Sequence, residues 1–286
     1  MFKKLSQYYQ IFCNLSLDVA FGVFFSLLSL SVCFKNDIPF IAFYLVPACT
    51  WIIYLFDHVL DVIRDKNEYP SPRHLFIRNN LWQMILAISF MSLVVAIYFV
   101  THFNFLLFIC GLIMLVLVLV HFILVQINPQ IKSILNNKEF AVAFIYASGI
   151  YILFIVDSIV SMNNIWIMCL CYFIFVCVSF INLLMVSLIE NNYDVQMQNS
   201  SLVTAISLKS AQILFYIVIL LVLVLGSVLL TFTNGSVRFL IIIYMLMAVL
   251  HFYIYMKKNK LTNYLAYRKI GELIFWLPAI VYFIFK

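Results

Sequence analysis

Charge is scarce in this chain. Asp, Glu, Lys and Arg make up only 10% of its 286 residues, against about a quarter in a soluble domain. Glycine and proline are scarce too, six of each. That excludes collagen-like or low-complexity architecture and leaves long stretches with nothing to interrupt a helix. No polar stretch is long enough to make a separate soluble domain, and the start has no small-residue cleavage site of the kind that ends a secretory signal. The seven cysteines, Cys13, Cys33, Cys49, Cys110, Cys169, Cys171 and Cys177, lack any paired metal-ligand spacing. They read as small apolar packing residues.

What fills the chain is hydrocarbon. Hydrophobic residues amount to 66% and the mean hydropathy is +1.11, so the fold class is all-α polytopic membrane protein. A span needs about 20 apolar residues, and nine such runs are found near 12–34, 38–58, 79–100, 103–127, 140–160, 164–188, 208–231, 236–256 and 268–285. Pro47 interrupts the second, a tolerable event in a membrane helix whose neighbours satisfy the freed carbonyl. The whole of 1–286 reads as one transmembrane domain.

Basic residues orient the spans. Fourteen lie at the N-terminus or after spans 2, 4, 6 and 8, and three (Lys35, Arg238 and Lys286) on the other side. This split predicts a cytoplasmic N-terminus, and the odd number of spans an external C-terminus; the expected location is a bacterial cytoplasmic membrane. The net charge of +6 follows from the same insertion rule and gives no reason to expect nucleic acid as a partner.

Two places break the apolar pattern in the same way. In "YLFDHVLDVIRD", Asp57, Asp61 and Asp65 fall at i, i+4 and i+8, one face of a helix. In "SLIENNYD", Glu190 and Asp194 are again i and i+4. Asp61 and Glu190 are 129 positions apart, and so are Asp65 and Asp194. The shared offset suggests an internal repeat of spans 1–4 and 5–8 with span 9 left over. Carboxylates at a water-accessible rim suit Mg²⁺, which binds through a few oxygens plus substrate phosphate. Arg64, Arg73, His74, Lys132 and Lys138 stand beside them, and guanidinium groups hold phosphate oxygens well. Together these describe a diphosphate site. Pro70 and Pro72 restrict the intervening loop and could present Arg73 and His74 to it. His102, His121 and His251 read as packing residues, and Asp157 as a solvated edge.

At these residues the chain resembles the UbiA superfamily of intramembrane prenyltransferases. Its first motif, N-D-x-x-D-x-x-x-D, is matched by "DHVLDVIRD", with Asp57 for Asn and His58 for the first Asp; its second, D-x-x-D-x-x-x-D, by "SLIENNYD", with Ser187 and Glu190 for the first two Asp. The resemblance implies nine helices in two four-helix halves plus one, around a central cavity opening to the cytoplasm. It implies Mg²⁺-dependent prenyl transfer from an isoprenoid diphosphate to a hydrophobic or aromatic small-molecule acceptor within the lipid bilayer. Asp61, Asp65, Glu190 and Asp194 would be the catalytic carboxylates, and these four with Asp57 and His58 the metal set. A transporter would place its acids nearer the midplane. An alcohol phosphatidyltransferase would carry D-G-x-x-A-R, which is absent. A non-catalytic or transport protein that keeps the prenyltransferase fold is the alternative.

Overall fold

The computed structural model describes residues 2–36, 38–64, 72–102, 104–127, 138–161, 165–196, 201–261 and 266–286. Asp65, Pro70 and Lys132 lie outside them. The described residues form helices α1 (Phe2–Asn14), α2 (Leu17–Phe34), α3 (Ala42–Arg64), α4 (Pro72–Asn79), α5 (Leu81–Thr101), α6 (Phe105–Ile127), α7 (Lys138–Ser161), α8 (Ile165–Gln196), α9 (Leu202–Ile206), α10 (Leu208–Phe232), α11 (Gly235–Met256), α12 (Lys258–Leu261), α13 (Ala266–Ile274) and α14 (Ala279–Phe285). Eight of these, α2, α3, α5, α6, α7, α8, α10 and α11, are long and apolar enough to cross a membrane. Among the described residues the chain is an all-α polytopic membrane protein.

Two segments depart from the expected spans. The first run, read as a helix from residue 12, is divided by a turn at Leu15 and Ser16, where Ser16 has φ 55°. Asn14 and Ser16 favour such a turn, and the Trp51 indole donates to the Leu15 carbonyl at 2.7 Å. The ninth run is two short helices, α13 and α14. Between them the amides of Phe275, Trp276 and Leu277 donate three residues back, to Glu272, Leu273 and Ile274, and Pro278 has no amide to donate. Elsewhere the elements exceed expectation. Helices α3 and α8 run on to Arg64 and Gln196, so Asp57, Asp61, Glu190 and Asp194 are all helical, and Pro47 sits inside α3 without ending it.

The chain divides into two compact units, residues 1–24 with 39–108, and 25–38 with 109–286. The boundary falls inside α2 and α6 rather than between the expected four-span blocks. In the first unit α3 touches both α4 and α5. Leu55, Val59, Val62, Ile77 and Met84 make its buried core, flanked by Trp51 and Phe76. Only 6% of the apolar window of α5 is buried, so most of that helix is left for lipid.

The second unit is organised by α8, whose apolar window is 67% buried and which touches α7, α9, α10, α11 and α13. Tyr151, Phe175 and Tyr244 fill its centre, with Phe175 and Tyr244 ring centroids 5.2 Å apart. The hydroxyls of Tyr151 and Tyr244, both fully buried, meet at 2.6 Å. Asp157, expected at a solvated edge, is instead an anchor. It accepts from the Asn36 amide at 2.6 Å, and the same amide reaches Ser158 Oγ at 3.1 Å.

The tyrosine pair provides a test of interior polarity. Tyr151→Phe leaves the buried Tyr244 hydroxyl without its partner and should cost about 1–3 kcal/mol, whereas the double Phe variant should recover much of that loss. Reversible unfolding in mixed micelles measures both. A double variant no more stable than the single would show that the hydroxyls are not coupled.

Candidate functional site

The first acidic cluster is built on the C-terminal end of α3. Helical spacing puts Asp57 and Asp61 one turn apart with His58 beside them, and one ligand atom from each lies within 4.8 Å of the others. Arg73, from the second position of α4, comes to the same place. One guanidinium nitrogen is 3.0 Å from His58 Nε2, and the other donates to the Cys13 carbonyl at 3.0 Å. The guanidinium also acts electrostatically on Asp18, which is fully buried near the start of α2.

This geometry determines the role of His58. A guanidinium only donates, so in this contact Nε2 is the acceptor. A ring in that role spends its lone pair on Arg73. The oxygen donors of the cluster are therefore Asp57 and Asp61, which fit a hard cation such as Mg²⁺, while His58 holds Arg73 against the cluster. Of the other expected cations, His74 is half-buried on α4 and Lys138 is exposed at the start of α7. The backbone of Arg64 closes α3. Asp65 and Lys132 are outside the described residues.

The second cluster lies at the C-terminal end of α8, within the second unit. Glu190 and Asp194 share a side of the helix with Ser187, but Glu190 is fully engaged. Arg268 of α13 clamps it, Nε donating to Oε1 at 2.6 Å and Nη2 to Oε2. The Tyr267 hydroxyl also donates to Oε1. In this arrangement Glu190 is the ion-pair partner of Arg268. Two turns back along α8, the Asn182 amide donates to Glu272 Oε1 at 3.3 Å. Gly271 permits that approach, since a Cβ there would lie 2.6 Å from Asn182 Oδ1.

Ser187, where the first Asp of the second motif would stand, has a partner from another helix. Its hydroxyl donates to Glu139 Oε1 of α7 at 2.7 Å, and the Leu202 amide donates to the same oxygen at 3.0 Å.

No protein-family model, curated protein or solved structure matches this chain. The residues that organise both clusters, Asp18, Glu139, Asn182, Tyr267, Arg268 and Glu272, were not singled out by sequence; Arg268 was only one of the orienting cations. Asp18 and Asn182 did carry a signal, a lone polar residue in an apolar run, which in a membrane span marks a paired or functional group.

Arg73 and Asp61 should respond differently to substitution. Arg73→Lys keeps the charge but cannot span His58 and the Cys13 carbonyl together, and should cost about 1–3 kcal/mol of stability. Asp61→Asn should stay within about 0.5 kcal/mol of the parent. Thermal unfolding of the two variants in one detergent checks the contrast, and equal losses would contradict it.

Proposed function

We propose that this chain is an intramembrane prenyltransferase that moves a prenyl group from an isoprenoid diphosphate to a hydrophobic or aromatic acceptor, with Mg²⁺ as cofactor. The observation that carries the reading is the grouping of Asp57, His58 and Asp61 within 4.8 Å at the end of a span-length helix, with the Arg73 guanidinium alongside. In this reading the N-terminus and both acidic clusters are cytoplasmic, the C-terminus is external, and the ninth segment crosses the membrane as the broken α13–α14 pair.

Mg²⁺ would neutralise charge on the departing diphosphate. Asp57 and Asp61 would hold it in the first unit, and Asp194 is the corresponding carboxylate of the second. His58 keeps the Arg73 charge close to the carboxylates, and His74 follows it on α4. Arg64, Lys132 and Lys138 are the further cations expected to hold the diphosphate. The apolar helices exclude water, which strengthens each of these interactions and protects an allylic cation from hydrolysis. The clamp of Arg268 on Glu190 favours a second reading, a non-catalytic or transport protein that keeps the prenyltransferase fold, because it commits one expected metal ligand to an ion pair.

Full-length protein in lipid nanodiscs separates the two. Farnesyl diphosphate should bind only with Mg²⁺, and Asp61→Asn should weaken binding by about 10- to 100-fold. Release of diphosphate in the presence of an aromatic acceptor would support transfer. Mg²⁺-dependent binding without release across a panel of acceptors would favour the second reading, and binding unchanged in Asp61→Asn and Asp194→Asn would refute both.

A further inference from the structure

Helices α10 and α11 are joined by Thr233 and Asn234 alone, so they run antiparallel, and the start of α10 meets the end of α11. Tyr255 fixes their register. Its ring packs on Phe215 with centroids 5.1 Å apart, and its hydroxyl accepts from the Gln212 amide at 2.9 Å.

Lysines gather at this end of the pair. Lys209 is exposed in the first turn of α10; Lys257 caps α11, and Lys258 and Lys260 follow on α12. The Lys258 ammonium lies over the Tyr255 ring, 4.5 Å from its centre, and donates to the Tyr255 hydroxyl at 3.4 Å. It is therefore held above the seam between the two helices. The Lys257 ammonium is 5.9 Å from the centre of the Tyr253 ring. From residue 201 to residue 286 the sequence contains a single acid, Glu272, whose Oε1 accepts from the Asn182 amide. Next to the lysines the helices change character. Tyr216, Phe252, Tyr253 and Met256 are all exposed, Tyr253 at 58%, and Tyr216 and Phe252 lie side by side with centroids 6.1 Å apart.

We propose that this end of the α10–α11 pair is a docking surface for an anionic phospholipid such as phosphatidylglycerol. Lys257 and Lys258 take the phosphate. An ammonium has three donors, and Lys258 spends one on Tyr255, which aims the others. Lys209 and Lys260 extend the positive field, and the acyl chains run along the exposed aromatic residues and Met256. Charge selects the occupant: a basic cluster at a span end attracts anionic headgroups, each lysine adding about five-fold in affinity. The aromatic side chains select a lipid over a soluble phosphate, because tyrosine suits the depth where headgroup meets hydrocarbon. The proposal does not depend on prenyl transfer.

The competing role for these lysines is to orient the helices during insertion, which needs positive charge but no headgroup contact. Native mass spectrometry of the full chain in detergent, titrated with phosphatidylglycerol or phosphatidylcholine, distinguishes the two. Phosphatidylglycerol should bind at least about ten-fold more tightly. The double variant Lys257→Gln/Lys258→Gln should weaken it about 25-fold with little change in melting temperature, while Lys3→Gln/Lys4→Gln, which removes the same charge from α1, should leave it unchanged. Equal affinity for the two lipids, or equal losses in the two double variants, overturns the proposal. Glycerol phosphate, a headgroup without chains, should not displace the lipid; displacement at equal concentration assigns the lysines to a soluble phosphate compound and also overturns it. Should the Lys257→Gln/Lys258→Gln protein fail to insert, Lys209→Gln takes its place: about five-fold weaker phosphatidylglycerol binding supports the surface, and unchanged binding overturns it.

Discussion

Hydrocarbon offers no hydrogen bonds, and the rest of the structure follows from that. A backbone group left unpaired in the bilayer core costs several kcal/mol, so the spans must be helices. The same rule governs side chains. Asn36 is placed on Asp157 and Ser158, the Trp51 indole on the Leu15 carbonyl, and the Tyr151 and Tyr244 hydroxyls on each other. Apolar residues need no such placement, which is why α5 can leave most of its surface to lipid while α8 is buried along most of its length.

Where charge does enter, arginine manages it. Arg73 joins α4 to His58 on α3 and to the end of α1, and Arg268 joins α13 to Glu190 on α8. Each is a planar fork satisfying two acceptors at once, a task that lysine, as a point charge, performs poorly. These contacts give the acidic clusters their character. The first unit groups Asp57 and Asp61 with His58, which the Arg73 guanidinium contacts, and the second unit commits Glu190 to Arg268 while Glu139 arrives from a neighbouring helix.

The two clusters therefore differ more than their common 129-residue offset suggests. The first is assembled almost entirely on one helix, so a short sequence window contains its main residues. The second draws on α7, α8, α9 and α13, through Glu139, Glu190, Leu202 and Arg268. Nothing in a local motif could announce that Ser187 would be met by a carboxylate from another helix.

By itself the sequence determined the membrane character, eight of the nine spans and the helical stacking of Asp57 with Asp61 and of Glu190 with Asp194. Those features depend on hydropathy and on the 3.6-residue period, both local properties of the chain. Tertiary structure decided the rest. It split the first run at Ser16, because the turn there is held by Trp51 from α3. It opened the ninth run ahead of Pro278 and set Gly271 against Asn182. It engaged Glu190 with Arg268, set Arg73 against His58, and delivered Glu139 to Ser187. Each of these depends on which helices become neighbours, and the packing and interhelical hydrogen bonds that select neighbours in a bilayer join residues far apart in the chain, so they leave no spacing in the sequence from which the partner could be read.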